Sequence, residues 1–212
     1  MTARVVREEP EERVIANAIR PGPRVLDCGC GYGRIARCLP ECEVDGIELS
    51  AAAADAARGV CRSVMVGSVT DPSVWQRLSG RLYETIVFSH VLEHLTDPLA
   101  ALHLACGHLA AGGRIVIVLP NVATWRMRWQ LLSGRWDYAD EGILDRTHLR
   151  FYTLTSAREL LDAAGLRIRD EVLLGTPPGG RLLRRSVVRG LRRLSVRATA
   201  QAFLFVAEPT SP

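Results

Sequence analysis

The chain has no lysine, because all 27 of its basic residues are arginine. This absence excludes enzymes that form a Schiff base through a lysine, and it excludes the phosphate-binding lysine of a Walker loop. Long apolar runs are also missing, since the longest, residues 202–207, is far shorter than the ~20 residues that cross a bilayer. The N-terminus lacks the apolar stretch of a signal peptide, so we expect a cytoplasmic location.

The composition is otherwise that of an ordinary globular protein. The 212 residues are 48% hydrophobic, which is enough apolar mass for one core, and we expect one domain over residues 1–212. The net charge of +4 is too small to recommend nucleic acid as a partner. The six cysteines are expected to be free thiols, because no export signal points to an oxidising compartment. We expect no metal on them, because Cys28 and Cys30 lie within a glycine-rich segment and Cys38 and Cys42 lie on either side of Pro40.

Short β-branched runs alternate with segments rich in alanine and leucine through most of the chain. This alternation predicts βαβ units on a mostly parallel sheet. The predicted strands are residues 24–28, 44–48, 61–66, 83–89, 114–119, 166–174 and 200–207. The predicted helices are one within residues 1–22, centred on 13–19, and others at 34–39, 51–57, 75–78, 98–109 and 155–164.

Two segments interrupt the alternation. Residues 121–150 lack a regular pattern but hold three of the four tryptophans, which favours a functional insert over disorder. Residues 181–197 carry seven arginines and no acidic residue, and their leucines and valines at helical spacing predict a basic amphipathic helix. Three interpretations of this helix stay open: a membrane-surface helix, a cap over an anionic or carrier-bound acceptor, or a docked helix with a solvated face.

A glycine-rich loop follows the first predicted strand. Asp27 precedes Gly29, Gly31 and Gly33, in a place where glycine lets the backbone turn sharply and approach a ligand. About 20 residues later, Glu48 ends the second predicted strand, from which a carboxylate accepts hydrogen bonds from ribose hydroxyls. Together these features predict a site for a nucleoside cofactor.

The order of the residues in the loop indicates which cofactor this is. A nicotinamide fingerprint has the spacing Gly-x-Gly-x-x-Gly with no acid just ahead of it, whereas here an acid precedes Gly-x-Gly-x-Gly. In this respect the chain resembles the class I S-adenosylmethionine-dependent methyltransferases, over residues 23–174. The resemblance implies a Rossmann-like α/β fold, with a seven-stranded, mostly parallel sheet, helices on both faces and an antiparallel last strand. It also implies methyltransferase activity with S-adenosylmethionine as the cofactor.

The resemblance assigns cofactor-binding roles to individual positions. In the family, the loop holds the amino-acid end of the cofactor, the acid after the second strand binds the ribose, and a residue pair after the third strand flanks the adenine. The positions implied here are Asp27, Gly29, Gly31, Gly33, Glu48, Ser68, Val69 and Ser89. Ser68 departs from the pattern, because the family often has aspartate there. The nearest subgroups are the methionine-biosynthesis-type and the sugar- or natural-product-cluster methyltransferases.

We expect a small-molecule acceptor to bind beside the insert. The insert leaves strand 114–119 at its carboxyl end, the edge at which ligands bind in open α/β sheets. The acceptor-binding residues expected there are Trp125, Trp129, Trp136, Tyr138, Thr147 and Arg150. His90 and His148 are the candidates for a general base or an acceptor-orienting group. Alternatively, both histidines anchor loops by hydrogen bonds.

Two further interpretations come from resemblance. His90, Glu93, His94 and His148 are similar to the Glu-x-x-Glu-His plus distant histidine cluster of metal-dependent small-RNA 2′-O-methyltransferases, with His90 in place of the first glutamate. We expect no metal, because in most of the family the Glu-His pair caps a helix or packs under the cofactor. The resemblance to methionine-biosynthesis-type chains also allows a non-catalytic, cofactor-binding subunit that stabilises or regulates a partner enzyme.

Overall fold

The computed structural model describes residues 4–6, 9–19, 24–175 and 198–210. The strands are β1 (Arg4–Val6), β2 (Arg24–Cys28), β3 (Glu43–Glu48), β4 (Ser63–Val66), β5 (Tyr83–Ser89), β6 (Leu109–Pro120), β7 (Leu166–Leu174) and β8 (Ala202–Pro209). The helices are α1 (Glu11–Ala18), α2 (Arg34–Arg37), α3 (Ala51–Ala57), α4 (Pro72–Gln76), α5 (Pro98–Cys106), α6 (Trp125–Leu132) and α7 (Leu154–Ala163). A short 3₁₀ helix spans Leu92–His94.

The strands form one sheet in the order β1-β7-β8-β6-β5-β2-β3-β4. All neighbours pair in parallel except β8, which is antiparallel to both β6 and β7. The predicted α/β fold and the antiparallel last strand are confirmed. The sheet has eight strands rather than seven, because Arg4–Val6 pairs with β7 and adds an edge strand. A three-residue strand is too short to show an alternating pattern.

Helices cover both faces of the sheet and make two apolar cores. One core packs α4, α5 and α7 against the sheet around Trp75, Phe88 and Phe203. The other core packs α1, α2 and α3 against the opposite face around Ile15 and Ile35. Alternate residues of the buried strands point to opposite faces, which explains why most buried strands read as nearly continuous apolar runs.

One buried acid inside the sheet is compensated by several donors. Asp45 of β3 has no exposed surface and accepts hydrogen bonds from Arg62, Ser63 and Tyr83. Burial opposes its ionisation, but these hydrogen bonds keep the pKa of Asp45 below its ordinary value. This network holds β3, β4 and β5 together at the edge of the sheet opposite their carboxyl ends.

The insert is more regular than the sequence indicated. It contains α6, which begins where the Thr124 hydroxyl accepts a hydrogen bond from the N–H of Met127 at 3.3 Å, a helix N-cap. Strand β6 also begins earlier than predicted, at Leu109. The predicted basic helix 181–197 lies outside the described residues. Within the described ranges, no helix combines the length and the apolar character needed to cross a bilayer.

Candidate active site

The glycine loop joins β2 to α2 through three left-handed positions. Gly29, Gly31 and Gly33 have φ values of 75°, 53° and 74°, where a residue with a Cβ is strained. A Cβ on Gly29 would lie 2.5 Å from Cγ2 of Val91, and one on Gly33 would lie 2.5 Å from Cγ2 of Val60. Among the described residues, nothing lies within 4 Å of that position on Gly31. The loop therefore leaves open space above Gly31 in which a ligand fits.

Asp27 lies on β2 just before the loop, with only 1% of its surface exposed. Neither of its carboxyl oxygens has a hydrogen-bond partner in the described part of the chain. Burial, and after it the negative charge of Glu48, raises the pKa of Asp27 from 3.8 to about 7. A buried carboxylate with so little compensation suits a ligand that brings a positive charge.

Glu48 ends β3 and holds the glycine loop in position. Its Oε2 accepts a hydrogen bond from the N–H of Gly31 at 2.8 Å, and its Oε1 accepts one from the N–H of Ser50 at 2.8 Å. A carboxylate offers about four acceptor positions, so both oxygens can still accept bonds from ligand hydroxyls. This arrangement fits the expected ribose-binding role.

A cavity of about 370 Å³ opens over the loop, and Glu11 of α1 forms part of its wall. The expected cofactor residues that line it are Asp27, Gly29, Gly31 and Ser89. The other expected cofactor residues, Gly33, Glu48, Ser68 and Val69, are not among its lining residues. The Ser68 hydroxyl accepts a hydrogen bond from the N–H of Thr70 at 3.2 Å. Val69 is buried, and its carbonyl accepts one from the indole N–H of Trp75.

His90 follows β5 with a φ of 55°, the only positive φ of a non-glycine residue in the described ranges. Its Nε2 lies 2.8 Å from Oε1 of Glu11, and its Nδ1 lies 3.3 Å from Oε1 of Glu93. Burial favours the neutral ring, but the two carboxylates prevail and raise the pKa of His90 to about 10. Because both ring nitrogens then donate, His90 is not available as a general base. It instead ties α1 to the end of β5.

A second cavity, of about 560 Å³, shares Glu11 with the first. Its wall includes residues of α6, most of residues 137–145 and three histidines, His90, His94 and His148. Nδ1 of His148 lies 3.0 Å from the carbonyl oxygen of Ile143. Because a carbonyl only accepts, Nδ1 is the donor, and the neutral ring keeps its lone pair on Nε2. His148 therefore meets the electronic requirement for a base at this cavity.

The tryptophans of the insert lie elsewhere. Trp125 and Trp129 are on α6 but are 57% and 75% exposed. The face of α6 that lines the second cavity carries Arg126, Met127 and Gln130. The sequence analysis missed these three residues because it did not predict a helix there, and only helical spacing separates one face from the other.

The remaining acceptor candidates also stay off the cavity wall. Trp136 packs edge to face on Phe151, with ring centres 5.2 Å apart, and Tyr138 is 48% exposed. The Thr147 hydroxyl contacts a histidine side chain. Arg150 donates hydrogen bonds to two backbone carbonyls in the loop after the 3₁₀ helix. These contacts hold the end of the insert against the 3₁₀ helix.

A sequence profile of the methyltransferase domain family matches residues 3–171 of the chain. A search of curated protein sequences gives no match.

Solved structures share the fold at low sequence identity. A SAM-dependent methyltransferase from Archaeoglobus fulgidus aligns with a TM-score of 0.69 and 18% identity, over 92% of this chain and 90% of its own. The CcbJ methyltransferase from Streptomyces caelestis aligns with a TM-score of 0.62 and 16% identity, over 96% and 91%. Magnesium protoporphyrin IX methyltransferase from Synechocystis PCC 6803, crystallised with bound SAH, aligns with a TM-score of 0.62 and 13% identity, over 93% and 83%.

Proposed function

The chain belongs to the methyltransferase domain family, and from this premise we propose that it transfers the methyl group of S-adenosylmethionine to a small-molecule acceptor. The observation that carries the proposal is the pair of adjoining cavities at the carboxyl edge of the sheet. The first has a buried, unpartnered acid, Asp27, and open space above Gly31. The second is large enough for a small molecule.

The residues around the first cavity fit the cofactor. Gly29, Gly31 and Gly33 let the backbone approach its amino-acid end, and Asp27 offers a negative charge to that cationic end. Glu48, which is hydrogen-bonded to the N–H of Gly31 in the loop, is the proposed acceptor for the ribose hydroxyls. The bound cofactor supplies an electrophilic methyl group on a positively charged sulfur. Ser68 and Val69 stay candidates for the adenine region, although the Ser68 hydroxyl and the Val69 carbonyl already bond within the protein.

The second cavity is the proposed acceptor site. Its residues hold the nucleophile of the acceptor close to the methyl group and exclude water, which is most of what an in-line displacement requires of a protein. Gln130 and Arg126 offer polar contacts from α6, and Met127 offers an apolar one. Nε2 of His148 provides the lone pair that acts on an acceptor proton, and His90 fixes the position of α1 beside both cavities.

Methyl transfer is tested directly with the purified chain. A small-molecule extract of cells is incubated with S-adenosylmethionine and the protein, and mass spectrometry searches for metabolites that gain the mass of one methylene unit. The proposal expects at least one such product, formed in much smaller amount at limiting S-adenosylmethionine when the protein carries Gly31→Ala. Binding of the cofactor without any product, together with co-purification of a stoichiometric partner, would instead support a non-catalytic subunit.

A further inference from the structure

A cluster of potential metal ligands lies beside the second cavity. One carboxylate oxygen of Glu93 and one ring nitrogen each of His94 and His148 lie within 4.8 Å of one another. Among the described residues this is the one such group of three. His94 and His148 both line the cavity, and their rings meet edge to face with centres 4.6 Å apart.

Hydrogen bonding determines which nitrogen each histidine offers. Nδ1 of His94 lies 3.3 Å from the carbonyl oxygen of Thr147 and 3.0 Å from its hydroxyl. That hydroxyl donates its proton to Asp145 at 2.6 Å, so Nδ1 of His94 must be the donor. Nδ1 of His148 likewise donates to the carbonyl of Ile143. In both neutral rings the lone pair is therefore on Nε2, and metal-binding histidines are held by this kind of second hydrogen bond.

Glu93 gives the second, independent observation. Its side chain has no exposed surface, and Oε2 has no hydrogen-bond partner within the described ranges. Oε1 is 3.3 Å from Nδ1 of His90. One carboxylate oxygen therefore has a hydrogen-bond partner, and the other has none among the described residues. A buried carboxylate oxygen left without a donor is costly and calls for a cation.

The backbone fixes this acid relative to the histidines. The carbonyl of Glu93 accepts hydrogen bonds from the N–H groups of Leu149 and Arg150 at 2.9 and 3.0 Å. His148 directly precedes this pair, and His94 directly follows Glu93. The three side chains are thus brought together by two segments that are hydrogen-bonded to each other, and not by side-chain contacts alone.

We propose that Glu93, His94 and His148 bind one divalent transition-metal ion of borderline softness, such as Zn²⁺. Two imidazoles and one carboxylate form a ligand set that suits such ions. His90 is not part of the set, because carboxylates occupy both of its ring nitrogens. Three protein ligands leave at least one coordination position for another molecule, and the two histidines place it at the acceptor cavity.

The metal site also narrows the class of acceptor. This inference about the acceptor rests on the proposed methyltransferase function, whereas the proposal of metal binding does not. With a divalent cation held by these residues, the acceptor cavity would favour acceptors that present a hydroxyl oxygen, because coordination to the cation would lower the pKa of that hydroxyl. Nε2 of His148 would then bind the metal and would no longer act as the base, so the proton would leave to solvent or buffer. The proposal thus selects O-methylation among the possible methyl transfers.

The test measures metal binding by the full chain, produced without a histidine tag and stripped of metal. Calorimetry with Zn²⁺ alone, and visible absorption with Co²⁺ alone, report affinity, stoichiometry and ligand field. We expect one ion per chain, with at least about 10-fold weaker binding in Glu93→Gln and His94→Ala. His103→Ala is the matched control, since His103 is an exposed histidine on α5, and it should bind like the wild type.

Absence of saturable binding by the wild type would overturn the proposal, as would equal binding by the wild type and both ligand variants. If Glu93→Gln fails to fold, His94→Asn and the rise in melting temperature caused by Zn²⁺ decide the question instead, since only an intact site is stabilised by the ion. Calorimetry with S-adenosylmethionine in the absence of metal tests the proposed function separately. Failure of one binding reaction therefore leaves the other interpretable.

Discussion

The buried acid next to the glycine loop makes cofactor binding depend on pH. Because the pKa of Asp27 is about 7 in the fold instead of 3.8, ionising it costs roughly 4 kcal/mol more than in water. A cationic ligand in the first cavity recovers part of that free energy and lowers the pKa. We therefore expect S-adenosylmethionine to bind more tightly as the pH rises through about 7, and to release a proton when it binds below that pH.

Asp27 also affects the stability of the fold, and the pH dependence that it causes is opposite in sign to that of most acidic groups. A raised pKa in the folded state means that the folded chain keeps a proton that the unfolded chain loses above about pH 4. The free energy of unfolding without cofactor should therefore fall between about pH 4 and pH 7, by up to roughly 4 kcal/mol, and then level off. Asp27→Asn cannot ionise and should lack this part of the pH dependence.

Two assays check this reasoning. Urea unfolding of the wild type and Asp27→Asn between about pH 4 and about pH 8, which covers the span of the pKa shift, gives the stability difference. Calorimetry in two buffers of different ionisation enthalpy gives the number of protons released on binding. The reasoning is refuted if both proteins show the same pH slope, or if the wild type binds S-adenosylmethionine without proton release near pH 6.5 (roughly the lower flank of the titration).

Three further predictions follow from the structure. Gly31→Ala should weaken cofactor binding at least about 10-fold in calorimetry, because a Cβ would fill the open space above the loop. Gly134→Ala is the matched control, since Gly134 has a similar φ of 73° and equally open surroundings. It should introduce the same backbone strain of ~1–2 kcal/mol and bind the cofactor normally. Asp45→Ala should destabilise the fold by roughly 2–4 kcal/mol in urea unfolding, since it leaves the Tyr83 hydroxyl without its acceptor and Arg62 with only Glu43. Asp55→Ala, which removes the exposed partner of Arg58, should cost less than about 1 kcal/mol, and equal losses would contradict this. His148→Ala should lower turnover ~10² to 10⁴-fold with nearly unchanged cofactor affinity, and normal turnover would remove His148 from the mechanism.

Much of the sheet could be predicted from the sequence. Strands Arg24–Cys28, Tyr83–Ser89 and Leu166–Leu174 have the predicted bounds, because buried apolar runs between turn residues are a local signal. The edge strand Arg4–Val6 was not predictable in this way. It exists through pairing with β7, far away in sequence, and has no pattern of its own.

The two cavities of the candidate site also differ in how well the sequence predicted them, because one depends on local sequence and the other on contacts between distant residues. The glycine loop was readable because left-handed backbone positions require glycine, which the sequence displays. The acceptor wall depends on which face of α6 turns inward, and aromatic content pointed to Trp125 and Trp129, which are exposed. The pairing of His90 with Glu11, which changed its role from base to anchor, joins residues 79 positions apart.

The central claim is that the first cavity binds S-adenosylmethionine. Calorimetric titration of the purified wild-type chain with S-adenosylmethionine and with its demethylated product, S-adenosylhomocysteine, tests this directly. The account predicts saturable one-to-one binding of both compounds, clearly weakened by Glu48→Ala, which removes the expected ribose acceptor and the hydrogen bond to the N–H of Gly31. Absence of binding of either compound at millimolar concentration would contradict the account.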